Sequence, residues 1–235
     1  MYGFTAGIFV LSKYKETIEQ FLNEEEFLIK FNDTWLGKLS TVDSSRDYDD
    51  YTESTLNLSE YIPLLHIVSL EGSCFMIRIL HERKVKLHFD IPFELEKMMF
   101  SIVGFQLYGD GYMKYAIEKI IDGIKNAEID EKINKEVKRR MRQPDFSKRV
   151  FGEFDKDTLK EFKLFGFSEE ICKKLSNILT IRNLQKKSYK CEQLIIEFLE
   201  QLGLDNLNFV EHSYVLKEKF SFDVIAHGGK YTKRF

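Results

Sequence analysis

Three apolar segments separated by short turns, between residues 64 and 89, constrain the fold of this chain more than any other feature. They cover residues 64–70, 74–80 and 84–89. In the third, the apolar residues Val85, Leu87 and Phe89 alternate with the polar residues Lys84, Lys86 and His88. Such alternation is typical of a half-buried β-strand. Connections of three residues are too short for a helical crossover, so these strands are expected to run antiparallel. We therefore predict an α+β fold, with an antiparallel or mixed β-sheet packed with helices.

A second region, residues 128–202, has the apolar spacing of helices. In its first part an apolar residue recurs every four positions, at Ile129, Ile133, Val137 and Met141. Pro144 then ends the helix. Ser168 is a suitable N-cap for a following helix, and a further apolar stripe covers residues 194–202. We predict a single α+β domain over residues 1–235, with a mainly helical subregion at 128–202.

The remaining elements are predicted from shorter patterns. Strands are expected at residues 7–11, 27–31, 101–107, 207–216 and 220–225, and a helix at 13–22. The expected strand at 101–107 leads through a Gly109-Asp110-Gly111 turn into a helix. One face of that helix is apolar, with Met113, Ile117, Ile120, Ile121 and Ile124. Residues 43–53 are acidic and lack an apolar period, which predicts a surface loop.

Composition and charge restrict the classes of function. The chain is 43% hydrophobic with 21 Phe and 11 Tyr, which provides enough apolar area for a core. Its net charge of −3 does not favour binding to nucleic acid or to an acidic membrane. The three cysteines form no C-x-x-C pair, and no stretch approaches the roughly 20 apolar residues of a membrane span. These features predict a cytoplasmic protein in a reducing environment.

No residue pattern in the chain indicates catalysis or a bound cofactor. The acidic residues at 43–53 lack the glycine and the closing glutamate of an EF-hand, and the five histidines lack a second ligand at metal-binding spacing. The Gly109-Asp110-Gly111 turn is not G-x-G-x-x-G, and no P-loop lysine follows it. A solvated loop, structural histidines and a plain turn are the preferred interpretations. We expect no catalytic residue, no metal and no cofactor, and a chain that is not an enzyme.

The main local concentration of positive charge lies at residues 132–149. Candidate nucleic-acid contacts within it are Lys138, Arg139, Arg140 and Arg142, because cationic side chains bind phosphates. The apolar stripe through Ile133 and Val137 leaves these residues on the outward faces of the same helix. A solvated helix face is the favoured alternative, since the whole chain is acidic and contains no recognised nucleic-acid-binding motif.

Several segments resemble the catalytic core of histidyl-tRNA synthetases. Residues 154–159, 166–170 and 181–182 look like the family's helical stretch, residues 198–204 precede its late strands, and residues 103–109 are similar to its strand after motif 2. The segment Ile225-Ala226-His227-Gly228-Gly229-Lys230-Tyr231 follows the family's order up to its Gly-Gly-Arg-Tyr turn. A shortened relative, the regulatory subunit of ATP phosphoribosyltransferase, also retains a Gly-Gly-x-Tyr turn. The resemblance implies that Gly228, Gly229 and Tyr231 are the candidate ligand-binding positions.

The chain departs from that family at the residues needed for aminoacylation. Residues 215–222 read Val-Leu-Lys-Glu-Lys-Phe-Ser-Phe. The family has its histidine-binding Arg-Gly-Leu-Asp-Tyr-Tyr-Thr-Gly segment there. No arginine in the Phe-Arg-x-Glu setting of motif 2 is present either. The resemblance therefore implies a non-aminoacylating regulatory subunit rather than a synthetase.

Three hypotheses of function follow. The leading one is a non-catalytic regulatory or binding subunit that acts through a partner protein, with the regulatory subunit of ATP phosphoribosyltransferase in histidine biosynthesis as its specific form. The second is a small cytoplasmic interaction protein, such as a toxin-neutralising immunity protein or a phage-encoded inhibitor. The third is nucleic-acid binding through residues 132–149. A protein partner is expected, and a homodimer is the commonest symmetric assembly.

Overall fold

One antiparallel sheet organises the chain. The computed structural model describes residues 5–40, 51–70, 74–92, 95–121, 126–143, 158–180, 183, 191–205, 207 and 223–227. The strands within these residues are β1 (Thr5–Leu11), β2 (Phe27–Lys30), β3 (Trp35–Leu39), β4 (Leu64–Leu70), β5 (Cys74–His81), β6 (Lys84–Pro92) and β7 (Asp223–His227). They form a seven-stranded sheet in the order β6-β5-β4-β1-β3-β2-β7, and all neighbours are antiparallel. The predicted α+β class is confirmed.

Helices connect and cover the strands. They are α1 (Lys15–Glu19), α2 (Glu53–Tyr61), α3 (Leu95–Tyr108), α4 (Asp110–Ile121), α5 (Ala127–Met141), α6 (Glu169–Ile178) and α7 (Cys191–Leu202), with 3₁₀ turns at Ser12–Tyr14 and Thr158–Phe165. The predicted helical subregion at 128–202 is confirmed for its described residues. Of the two helices that precede that region, α4 was predicted and α3 was not.

The prediction of a strand at residues 101–107 is wrong, because these residues belong to α3. A short apolar run rich in branched and aromatic residues fits either a strand or a buried helix. Gly109, with φ of +54°, ends α3, and Asp110 and Gly111 already belong to α4, so the predicted three-residue turn is wrong and Gly109 joins the two helices. The similarity of residues 103–109 to a strand of synthetase cores therefore has no counterpart in this fold.

The acidic loop predicted at residues 43–53 ends one residue earlier than expected. Glu53 was expected in the acidic loop, but it begins α2, whose N-cap Thr52 accepts a hydrogen bond from the backbone N–H of Thr55. Residues 43–50 of the expected loop and 208–216 of an expected strand lie outside the described residues.

The two faces of the sheet contribute to separate hydrophobic cores because side chains alternate along each strand. The larger core joins one face to α3, α4, α5, the 3₁₀ turn Thr158–Phe165, α6 and α7. Its buried members include Phe9, Ile67, Ile77, Phe89, Val103, Ile133, Phe162, Leu175 and Phe198. The smaller core lies on the other face, under α1 and α2, and includes Ile8, Val10, Ile18, Leu36 and Leu58.

Helices α3, α4 and α5 form a connected group on the larger core. Gly104 of α3 is buried and faces the ring of Tyr112 on α4. The Tyr115 hydroxyl donates a hydrogen bond to Asp130 Oδ1 of α5 at 2.5 Å, and Lys119 Nζ lies 2.8 Å from the same carboxylate. These contacts hold α4 with its tyrosines turned inward.

Replacing Gly104 with alanine is expected to lower the free energy of unfolding by about 1–3 kcal/mol through overpacking. An added Cβ would lie 2.3 Å from Tyr112 Cε2, and that ring is enclosed by Phe100, Phe105 and Tyr115. The matched control is Gly111→Ala, where no atom lies within 4 Å of the new Cβ. That variant should gain about 0.5–1 kcal/mol from the lower entropy of the unfolded chain. Urea denaturation followed by circular dichroism measures both, and equal stabilities would contradict the close α3–α4 contact.

Candidate functional site

Most of the large apolar side chains that remain exposed lie on α3 and α4. Nine large hydrophobic residues are exposed among the described residues, and seven of them belong to these two helices. They are Met98, Ile102, Phe105 and Leu107 on α3, and Met113, Ile117 and Ile121 on α4. We refer to Met98, Ile102, Phe105, Met113, Ile117 and Ile121 as the apolar stripes. Concentrated exposed apolar surface marks interaction sites in natural proteins.

The stripe on α4 faces solvent because the opposite side of that helix is the one that packs. Tyr112 and Tyr115 are 5% and 6% exposed, whereas Met113, Ile117 and Ile121 are 50%, 48% and 74% exposed. A helix stabilised only by its core would bury its aliphatic side chains and expose its tyrosine hydroxyls. The sequence correctly identified Met113, Ile117 and Ile121 as one face, but this face is not covered by the described residues.

A groove of about 700 Å³ lies beside α3, between its C-terminal end and α5. We call it the basic groove, and its lining residues are Leu107, Tyr108, Lys132, Lys135, Glu136, Lys138, Arg139 and Arg142. Five lining side chains are cationic and one is a carboxylate. Phe105 and Tyr108, which lines the groove, are three residues apart and are therefore neighbours on the surface of α3, so the stripe on that helix reaches the edge of the groove.

Glu136 pairs with two arginines, Arg139 in the lining of the groove and Arg140 beside it. Arg139 Nε lies 2.6 Å from Glu136 Oε2, and Arg140 Nε lies 2.8 Å from Glu136 Oε1. Arg140 also donates a hydrogen bond to Gln106 of α3. The hydrogen bonds from Arg139 and Arg140 lower the pKa of Glu136 from 4.5 to about 2. The stability that this carboxylate contributes is therefore present above pH 4.5 and is lost as the pH falls toward 2.

Four other cations of the groove have no such partner. Within the part of the chain that the structure describes, no ion pair involves Lys132, Lys135, Lys138 or Arg142. The cations near the end of α5 also complement the negative C-terminal end of the helix dipole, as Glu128 and Asp130 complement its start. That role does not extend to Lys132 and Lys135, which lie in the middle of the helix.

The residues predicted from the sequence are brought together only in part. Lys138, Arg139 and Arg142 line the basic groove, while Arg140 lies beside it and is paired with Glu136. Gly228, Gly229 and Tyr231 lie outside the described residues. The apolar stripes were not predicted as a site. The sequence did contain a signal for them, because α4 carries tyrosines on one face and aliphatic residues on the other, and only one of two apolar faces can pack on the core.

A second concentration of titratable side chains lies on the face of the sheet that carries the smaller core. His66, Arg78 and His88 occupy one row across β4, β5 and β6. His66 is buried, and its Nδ1 lies 2.9 Å from the hydroxyl of Tyr51. Burial, and then the Arg78 cation, lower the pKa of His88. We interpret this row as structural, because His66 and Arg78 are buried.

Other classes of site find no support in the described residues. No group of three or more His, Cys, Asp or Glu side chains among them could hold a metal ion. None of their helices has the length and apolar character needed to cross a membrane. The apolar stripes and the basic groove are thus the surface features that most resemble a functional site.

Comparisons with protein families, with curated proteins and with solved structures were made for the whole chain. None of the three gives a match. The function of this chain must therefore be inferred from its own surface.

Proposed function

We propose that this chain is a non-catalytic binding protein that acts through a partner protein, which docks on the apolar stripes of α3 and α4. The observation that carries the proposal is the concentration of seven of the nine exposed large hydrophobic residues on these two helices. Burying such surface in a complex releases about 25 cal/mol for each Å² of apolar area, which provides the driving force for association.

The rigidity of the surface supports the proposal. The inner face of α4 is anchored by the Tyr115–Asp130 hydrogen bond and by the Lys119–Asp130 ion pair. The inner face of α3 is anchored by Met99 and Val103, both buried in the larger core. Because both helices are already packed on the core before binding, association does not have to order their backbone, which lowers its entropic cost.

The sequence resemblance supplies a narrower form of the proposal, in which the partner is the catalytic subunit of ATP phosphoribosyltransferase and the chain is its regulatory subunit. The alternative form, a toxin-neutralising or inhibitory protein, needs only one binding surface. Both forms use a protein partner, and the identity of the captured protein distinguishes them.

The proposal is tested with the double variant Ile102→Asn/Ile117→Asn. Both side chains are exposed, so the variant should keep its melting temperature and its circular dichroism spectrum, with a stability change of about 0.5 kcal/mol per site. The tagged wild-type chain is expected to enrich a specific partner from extracts of its native host, as identified by mass spectrometry. The double variant should enrich that partner at least about tenfold less, because each buried Ile contributes about 1.5–3 kcal/mol.

The matched control is Val85→Asn, which replaces another exposed aliphatic side chain, on β6. It should capture the partner as well as the wild type does. Equal capture by the double variant and the wild type would contradict the proposed role of the stripes.

A further inference from the structure

The apolar stripes adjoin an excess of positive charge. The basic groove begins at Leu107 and Tyr108, the last residues of α3, and it carries Lys132, Lys135, Lys138 and Arg142 without ion-pair partners in the described part of the chain. The chain as a whole has a net charge of −3, so this excess is local. The candidate surface thus combines exposed aliphatic side chains with four cations that have no ion-pair partner among the described residues, and an acidic, partly apolar ligand complements both.

We propose that the partner docks through an acidic amphipathic segment, with apolar side chains on the stripes and carboxylates against the cations of the basic groove. This inference rests on the proposed function and names the chemistry of the partner at that same surface. Complementary charge at the edge of an apolar interface orients the partner and accelerates association.

A protein segment fits this surface better than a nucleic acid does. A phosphate backbone gains nothing from Met98, Ile102 or Met113, and the stripes would remain exposed in such a complex. The wall of the groove also includes the apolar side chain of Leu107, which a phosphate does not satisfy. A partner that carries both apolar and acidic groups satisfies the stripes and the groove together.

A second copy of the chain fits less well. In a two-fold dimer the same surface of each copy meets the other. The cations Lys132, Lys135, Lys138 and Arg142 of both copies would then be gathered in one interface, and an excess of like charge in an interface opposes association. An acidic partner removes this repulsion and replaces it with attraction.

A variant at Glu136 is expected to raise the affinity for acidic ligands, whereas structural damage would lower it. Its carboxylate engages Arg139 and Arg140. The variant Glu136→Gln removes one negative charge from the groove and leaves both guanidinium groups available to a ligand. Acidic ligands should then bind more tightly, whereas a variant that merely loosened α5 would bind them more weakly.

The experiment uses two synthetic helical peptides that share leucines at positions i, i+3, i+4 and i+7. One peptide has Glu on its polar face and the other has Lys. Fluorescence anisotropy of labelled peptide measures binding to the full chain. The Glu peptide is expected to bind at least about tenfold more tightly than the Lys peptide, and this preference should shrink at high salt because exposed charges are screened.

Three variants complete the test. Lys135→Glu/Lys138→Glu, which disrupts no ion pair of the described residues, should weaken binding of the Glu peptide by about tenfold or more, and Glu136→Gln should strengthen it about two- to threefold. Ile102→Asn/Ile117→Asn should weaken both peptides by a similar factor, because it removes only apolar contacts.

Equal binding of the two peptides, or unchanged binding to the charge-reversed variant, would overturn the acidic-partner inference while leaving the stripes as a docking surface. Tighter binding of a 20-base-pair DNA duplex or of phosphatidylserine vesicles than of the Glu peptide would overturn it in favour of that ligand. Binding of both peptides to the Ile102→Asn/Ile117→Asn variant with wild-type affinity would instead contradict the proposed function.

Discussion

Replacing Lys38 with methionine is expected to lower the free energy of unfolding by about 3–5 kcal/mol, because it leaves a buried carboxylate without its cation. The Lys38 side chain is fully buried on β3, and its Nζ lies 2.5 Å from Glu26 Oε1 and 3.1 Å from Thr55 Oγ1. Glu26 is itself buried, and its Oε2 accepts a hydrogen bond from the backbone N–H of Asn23. Urea denaturation of the two proteins measures the difference.

The matched control is the double variant Lys38→Met/Glu26→Gln. It removes both charges and keeps an acceptor for the N–H of Asn23. Replacement of a buried ion pair by neutral side chains is often nearly neutral, so the double variant should recover at least about half of the stability lost in Lys38→Met. A single variant within about 1 kcal/mol of the wild type would show that the pair is accessible to water.

Replacing Trp35 with alanine is expected to cost about 3–5 kcal/mol, as for other large aromatic side chains removed from a core. Trp35 is fully buried on β3 and joins the sheet to the helices of the larger core. Its Nε1 donates a hydrogen bond to the carbonyl of Leu202 at 2.7 Å, and its ring lies 5.5 Å from that of Phe165.

The milder variant Trp35→Phe separates packing from hydrogen bonding. It keeps an aromatic ring but leaves the buried Leu202 carbonyl without this donor, which should cost about 1–3 kcal/mol. Equal stabilities of Trp35→Ala and Trp35→Phe would contradict a role for ring packing, and a Trp35→Phe variant as stable as the wild type would contradict the hydrogen bond.

The sheet could be predicted where strands with a clear apolar pattern pair with their neighbours along the chain. Strands β4, β5 and β6 follow one another through short connections, so the apolar runs of β4 and β5 and the alternation along β6 were sufficient to identify them. Strand β3 was missed because it reads Trp-Leu-Gly-Lys-Leu and has no alternation. Its lysine can be buried only because Glu26, twelve residues earlier, supplies a counter-charge. Such a contact cannot be inferred from a window of a few residues.

The sequence predicted the cations of the candidate surface and the apolar residues of one helix face, but not that this face is exposed. The cluster of Lys138, Arg139, Arg140 and Arg142 is visible in the sequence, and the spacing of Glu136 to Arg139 and Arg140 matches helical pairing at i+3 and i+4. Periodicity also placed Met113, Ile117 and Ile121 on one face of a helix. It does not show which face packs, since that depends on Gly104 and Tyr112 meeting across two helices.

Site-specific photo-crosslinking tests the central claim, that the apolar stripes are a protein-binding surface, most directly. Benzoylphenylalanine is placed at Ile117 and, in a separate variant, at Lys173, an exposed residue of α6, in cells that produce the chain naturally. We predict that the Ile117 position crosslinks to one protein through an acidic segment, that Ile102→Asn reduces this product, and that the Lys173 position gives none. Equal crosslinking from both positions, or a product with nucleic acid, would contradict the claim.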